Sequence, residues 1–292
     1  MSETLNSKLI LGTVQMGLSY GINNTKGKGS LDDSLEILGH AFDSGIRILD
    51  SAESYGNAHE IIGKFHNKYP DKIFKVITKL PNRKNDDIST KVKDYLTDLN
   101  LNQLETLMFH SYDSYQNNIE NFDILGRLKL EKKIKSVGVS VYTNSEIEKV
   151  ILNDNIDIIQ LPFNLFDNTN LRSGILLKAK SKGKIIHTRS ALLQGLFYKD
   201  LNDTNDIVQK LKKELAIIHE ISYKDNTSIS ALALSYCLSQ DTIDNVLIGV
   251  DSVNQLKDNI KSVLYKITPQ NIAKINAIKI KNVDLLNPSL WK

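Results

Sequence analysis

Leu104-Glu-Thr-Leu-Met-Phe-His110 is followed by Ile119, Phe122, Leu125 and Leu128 at helical intervals and then by Ile134-Lys-Ser-Val-Gly-Val-Ser140. The two flanking runs are short, almost continuously apolar and rich in Leu, Val, Ile and Phe, which suits strands covered on both faces. The apolar residues between them recur every three or four positions, as along one face of a helix. A strand, a helix and a second buried strand make a crossover unit, so the two strands run parallel.

The unit repeats in both directions. Upstream, strands are expected at Lys8–Thr13, Ile46–Asp50 and Ile73–Lys79. They alternate with helical stripes at Leu31, Leu35, Leu38 and Phe42, at Ile61, Ile62 and Phe65, and at Ile88, Val92, Leu96 and Leu99. Ser30 reads as the cap of the first of these helices and Gly45 as its stop. Downstream, strands are expected at Ile156–Leu161, Lys184–Ser190 and Asn245–Gly249. Two helices separate the last two strands, one through Ile207, Leu211, Leu215 and Ile218 and one from Thr227 to Gln240. A helix through Val253, Leu256, Ile260 and Val263 closes the series, and Thr268 to Lys279 reads as an added terminal helix. Eight strand–helix alternations with no Pro-, Gly- or Ser-rich linker predict an α/β protein, a closed (β/α)8 TIM barrel forming a single domain over residues 1–292.

Composition excludes several classes. The net charge of +3 comes from 37 basic and 34 acidic residues, interleaved as on a solvated surface and not gathered into a nucleic-acid footprint. The densest basic run, Lys129 to Lys135, is interrupted by Glu131 and reads as a helix end. The start of the chain has no signal-like apolar core, and no run of ~18 apolar residues occurs. One cysteine, Cys237, on a helix face expected to be buried, rules out an internal disulfide framework. A cytoplasmic protein with neither nucleic acid nor membrane as a partner is the expectation; the sequence is silent on oligomeric state.

In a barrel of this kind chemistry is built where strands run out into the following loops. Asp50 ends the second strand, Tyr55 follows it in the loop, Lys79 ends the third and His110 the fourth. Each has an ordinary structural reading, but neighbouring strands would bring all four to one pocket. There Lys79 beside the Tyr55 hydroxyl would stabilise a phenolate and lower its pKa, Asp50 would hold the lysine, and His110 would orient a carbonyl or share its proton.

These residues, with Gly12-Thr-Val-Gln-Met-Gly17, Ile48-Leu-Asp-Ser-Ala-Glu-Ser-Tyr-Gly56, Gly138-Val-Ser140 and Gln160, resemble the aldo-keto reductase superfamily over nearly the whole chain. The most specific segment is the second, with its Asp and Tyr five positions apart and Gly directly after Tyr. The resemblance implies a catalytic tetrad of Asp50, Tyr55, Lys79 and His110 and reduction of an aldehyde or ketone by NADPH, with NADH as the alternative. It also implies cofactor contacts at Gly12 and Thr13, at Ser140 and Gln160 on the carboxamide, at Arg189 where an aromatic commonly stacks on the nicotinamide, and along Ser190, Leu192, Gln194 and Gly195. Gly249, Val250, Gln255 and Asn259 fall at the adenosine-phosphate end, and Met16 and Tyr20 on the substrate side. The chain departs from the family's pattern at Val141, where Asn is usual, and at Gly249 and Gln255, where bases are common, so the preference for NADPH is weakened. The first loop hints at a keto-sugar substrate.

Other signals carry less. Gly12 and Gly17 have phosphate-loop spacing without the Lys-Ser/Thr that must follow. His59 and His66, seven positions apart on one helix, stand ~10 Å apart, too far to share a metal ion, and read as solvated; no metal is expected. Two rival functions remain: a Schiff-base aldolase using Lys79, against which Asp50 argues by holding the lysine charged, and a non-catalytic cofactor-binding subunit.

Overall fold

The computed structural model describes residues 6–21, 27–82 and 87–291. Eight strands, β1 (Leu9–Gly12), β2 (Ile48–Asp50), β3 (Lys75–Leu80), β4 (Leu104–Phe109), β5 (Ile134–Ser140), β6 (Ile158–Pro162), β7 (Ile185–Arg189) and β8 (Asn245–Ile248), close into one barrel. Each pairs in parallel with its sequence neighbours, and β1 pairs with β8, Ile10 standing opposite Leu247. The predicted architecture is therefore the observed one.

Most observed strands begin one or two residues later than the apolar pattern predicted. Ile46 and Ile156 explain why: both are buried in the layer between sheet and helices without strand pairing, so burial extends the apolar run past the ladder. The helix Leu31–Asp43 is capped by Ser30, whose hydroxyl accepts from Asp33 N–H, and is stopped at Gly45, with φ of 92°. The terminal helix is shorter than expected, Pro269–Asn276, because Thr268 caps it and Ala277 ends it.

The side-chain alternation of a strand, period two, sorts the core into two parts. Leu9, Leu11, Leu49, Val76, Leu107, Val139, Ile159 and Ile186 join the large cluster between sheet and helices. Ile10, Ile77, Met108 and Ile158, with Ile48 and Leu247 against them, form a separate plug inside the barrel. Gly138 leaves room for that plug, since a Cβ there would lie 2.8 Å from Met108 Cε. Two positions further along each strand, the same parity brings Gly12, Asp50, Lys79, His110, Ser140, Gln160, Arg189 and Gly249 into the lining of a cleft.

The two helix histidines are not solvated. His59 and His66 are buried; His59 Nε2 lies 2.7 Å from Thr78 Oγ1, while His66 Nδ1 lies 2.8 Å from Leu99 O and its Nε2 accepts from Phe74 N–H. Burial, the leading cause, pushes the His59 imidazole down to about 4. They fasten the helix Ala58–Lys68 to the sheet, and they do so because a seven-residue interval keeps both on the inner face. Cys237 is buried as expected, and burial pushes its thiol upward, away from the reactive thiolate. Among the described residues no helix is long and apolar enough to cross a membrane.

Candidate active site

The cleft at the carboxyl ends of the strands has a volume of about 1050 Å³, at the upper end of the ~300–1,000 Å³ usual for small-molecule sites. Its floor is an ion pair. Lys79, 1% exposed, donates to Asp50 Oδ1 and, at 2.9 Å, to Ser51 O. The other carboxylate oxygen, Asp50 Oδ2, accepts from Gln160 Nε2 at 2.8 Å. Every oxygen of Asp50 that faces inward is thus occupied, which is the condition under which a buried carboxylate is tolerable.

Tyr55 lies over this pair, the Lys79 ammonium 5.1 Å from its ring centroid. His110 stands edge-on to the Tyr55 ring with centroids 5.8 Å apart, and its Nδ1 is 3.4 Å from Ser54 Oγ. The four residues singled out by strand position therefore converge.

Their protonation differs in one respect from the sequence expectation. Burial drives the Tyr55 phenol above its ordinary value; Lys79 pulls it down and Asp50 pushes it up, and the net direction is upward. The cation tempers the effect of burial but does not reverse it. Burial alone would lower Lys79, yet the Asp50 carboxylate and the Tyr55 phenol outweigh it and raise the ammonium's pKa. Burial, reinforced by Lys79 and Arg189 against the opposing pull of Asp50, lowers His110 to about 4. At neutral pH the site thus holds a neutral phenol, an ammonium and a neutral imidazole. The 3.4 Å contact of Nδ1 with Ser54 Oγ is compatible with either neutral tautomer; in the one with Ser54 donating to Nδ1, the proton sits on Nε2 and makes it a donor.

The Tyr55 loop is fixed from several sides. Tyr55 N–H donates to Ala52 O at 3.0 Å and Glu53 N–H to Lys79 O at 3.3 Å, while the Glu53 carboxylate accepts from Lys91 Nζ at 2.7 Å and from the Tyr95 hydroxyl. Gly17 and Gly56 seat the loop on the turn after β1: a Cβ on Gly17 would fall 1.7 Å from Tyr55 O, and one on Gly56, at φ +57°, 2.6 Å from Gly17 O. The Gly17 that resembled a phosphate loop is a close-approach glycine behind Tyr55.

Away from the tetrad the cleft runs past Ser140, Arg189, Ser190, Leu192, Gln194 and Gly195 toward Gly249, Gln255 and Asn259 on and before the helix Val253–Ser262. Gly12 and Thr13 line it too, and Thr13 Oγ1 is tied to Asp50 O at 3.1 Å. Ser190, Leu193 and Gln194 all take left-handed backbone angles in the turn after β7, a rare run for residues other than glycine. Gln194 Nε2 donates to the Tyr20 hydroxyl at 2.8 Å, joining that turn to the first loop across the cleft. Part of the first loop, residues 22–26, lies outside the described residues.

Two expected contacts are placed elsewhere. Met16 is buried in the layer between sheet and helices, because it sits on the inner side of the short helix Val14–Gly17. Val250 likewise turns its side chain into that layer, 3% exposed. Arg189 pairs with no carboxylate among the described residues; it donates to Ser140 Oγ and Val141 O, both at 3.3 Å, and lies 4.0 Å from the Tyr142 ring centroid. Tyr142 was missed by strand-end reasoning, although it stands only two positions beyond Ser140. So was Gln15, whose buried Oε1 has no partner among the described residues and whose Nε2 would lie 2.7 Å from a Cβ on Gly249.

Comparison with known proteins gives a consistent result. The profile of the aldo/keto reductase family matches residues 8–280. The uncharacterized oxidoreductase YqkF of Bacillus subtilis (strain 168) is 25% identical, covering 88% of this chain and 88% of its own. The NADH-specific methylglyoxal reductase of Escherichia coli (strain K12) is 23% identical over 87% of this chain and 89% of its own. Among solved structures, the aldo-keto reductase AKR11C1 from Bacillus halodurans, in its holo form, superposes with a TM-score of 0.75 at 21% identity, covering 94% of this chain and 93% of its own.

Proposed function

Because the chain belongs to the aldo/keto reductase family, we propose that it reduces the carbonyl of a small polar aldehyde or ketone to an alcohol at the expense of NADH or NADPH. The observation that carries this reading is the convergence of Tyr55, the buried Lys79–Asp50 pair and neutral His110 at one end of a long cleft. The rest of the cleft fits a dinucleotide in its hydrogen-bonding chemistry: a hydroxyl and an amide at Ser140 and Gln160, the acceptor Gln15 Oε1, buried without a partner among the described residues, and Asn259, 5% exposed, on the far wall.

When bound, the reduced nicotinamide supplies hydride to the carbonyl carbon. Tyr55 gives its proton to the carbonyl oxygen as negative charge builds there. Its raised pKa is no obstacle, since an alkoxide is far more basic than a phenolate. Lys79 stabilises the negative charge that builds on the phenol oxygen as its proton leaves, Asp50 keeps Lys79 in place, and the His110 Nε2–H holds the carbonyl oxygen toward Tyr55. The raised Lys79 pKa argues against the aldolase reading, which needs a neutral amine. The polar rim formed by Tyr20 and Gln194 supports a hydroxylated substrate of the keto-sugar kind.

His110 is neutral above about 4, and Tyr55 and Lys79 both titrate above their ordinary values. All three keep one charge state from about pH 5 to about 9. The expected kcat/KM for reduction is therefore flat within about twofold across that range, and a limb near pH 6 to 7 would instead make His110 the titrating acid.

Calorimetry with NADH and NADPH, followed by initial rates on a small aldehyde such as methylglyoxal, tests the whole reading. Micromolar binding and turnover are expected; a folded protein that binds neither nucleotide would remove the reductase assignment. Discrimination between the two nucleotides is expected to be weak, because Gly249 and Gln255 offer no cation, and Gln255 Oε1 is engaged by Asp251 N–H at 2.8 Å. A kcat/KM ratio above roughly a thousandfold for NADPH, about 4 kcal/mol, would mean that Lys261 or another base in the cleft holds the 2′-phosphate.

A further inference from the structure

We propose that Arg189 makes the site discriminate between the two redox states of the nicotinamide, binding the neutral reduced ring and disfavouring the cationic oxidised one; this rests on the reductase reading above. The Arg189 guanidinium is in contact with no carboxylate among the described residues. A guanidinium stays protonated at every physiological pH, yet the contacts of Arg189 are neutral: Ser140 Oγ and Val141 O at 3.3 Å and the face of Tyr142 at 4.0 Å. Asp167, the buried acid that feels its field, is already bound by Arg172 through bonds of 2.6 and 2.7 Å. That second arginine also donates to Tyr142 O at 2.7 Å, so the stacking partner of Arg189 is held in place.

The position of the charge matters next. A carbonyl oxygen held between Tyr55 and His110 leaves the facing wall for the hydride donor, and that wall is the inward ends of β5, β6 and β7: Ser140, Gln160 and Arg189. The positive field of Arg189 reaches across to Tyr20, Tyr55 and His110. In the reaction, hydride with its two electrons leaves the ring and forms the new C–H bond, Tyr55 supplies the proton that completes the alcohol, and the oxidised ring is left with one positive charge. That charge appears beside a cation that touches no carboxylate among the described residues, the nearby Asp167 being bound by Arg172. Like charges at contact range in a partly desolvated cleft repel strongly, so the oxidised cofactor is bound more weakly and leaves more readily.

The test is a pair of dissociation constants, for NADH and for NAD⁺, measured by fluorescence titration and calorimetry on the full chain and on Arg189→Met and Arg189→Lys. The native protein is expected to bind NADH at least tenfold more tightly than NAD⁺. Arg189→Met, which removes the charge while keeping much of the volume, should reduce that ratio by about tenfold or more, whereas Arg189→Lys, which keeps the charge, should leave it within a few-fold. If Arg189→Met weakens both nucleotides by one factor, the guanidinium grips the pyrophosphate and the proposal is overturned. A ratio unchanged in Arg189→Met overturns it as well, placing the cation against the substrate. Native protein that binds neither nucleotide would fail the reductase reading itself, a result separable from either of these.

Discussion

Tyr55→Phe is expected to lower kcat by ~10² to 10⁴-fold, the range that follows loss of a positioned acid, while leaving nucleotide affinity within a few-fold. The substitution removes one hydroxyl and nothing else. The ring keeps its edge contact with His110 and its place over Lys79, and the loop keeps its backbone bonds and the Glu53 tie to Lys91 and Tyr95. Folding should therefore be unaffected, and a melting temperature close to native is part of the expectation. Single-turnover mixing of enzyme, reduced nucleotide and aldehyde would locate the loss in the chemical step. Near-normal turnover would pass the proton-donor role to His110, but an imidazole with a pKa of about 4 carries almost no dissociable second proton at pH 7, so that outcome would also require a shift of several pH units on ligand binding.

The fold was legible in the alternation of short, almost continuously apolar runs with stretches of helical period, and the site in the polar residues at strand ends together with the family resemblance. Once Leu104–His110 and Ile134–Ser140 read as strands, a strand-end rule was enough to nominate Asp50, Lys79 and His110, while Ser140, Gln160, Arg189 and Gly249 came from the family resemblance; the structure gathers all of them at one cleft. What escaped is what depends on contacts between segments far apart in the chain. The burial of His59 and His66 depends on partners contributed by β3 and by the turn at Leu99. Met16 lies in a turn whose inner side is set by the approach of Gly17 to Tyr55, a contact between segments far apart in sequence. The direction of the Tyr55 shift is a contest between a desolvation cost and a cation's field; the sequence names the cation, but only the packed structure gives the depth of burial. Strand starts were overextended for a related reason, because an apolar residue such as Ile46 signals burial whether or not its backbone joins the ladder.

Lys79→Met separates what the buried pair does for stability from what it does for catalysis. Removing one partner leaves Asp50, 2% exposed, with a charge answered only by Gln160 Nε2 and the surrounding dipoles. Breaking such a pair typically costs ~3 to 5 kcal/mol, and at ~2 to 4 °C per kcal/mol for large domains a fall in melting temperature of roughly 6 to 20 °C is expected. The pH dependence has a definite sign. Lys79 has a folded-state pKa above its ordinary value, so its stabilising contribution is complete below about pH 10 and is lost as pH rises through the folded value; the stability difference between native and variant should narrow only in strong alkali. Activity should fall too, by ~10² or more, because the field that favours charge on Tyr55 is gone, and any basic limb of the rate profile should move to still higher pH. Asp50→Asn combined with Lys79→Met removes both charges while an amide still offers an oxygen to Gln160. The double variant is expected to recover most of the lost melting temperature and none of the lost rate. If the rate returned with the stability, Lys79 would be a structural counter-ion alone, and the neutral phenol with His110 would suffice for the proton transfer.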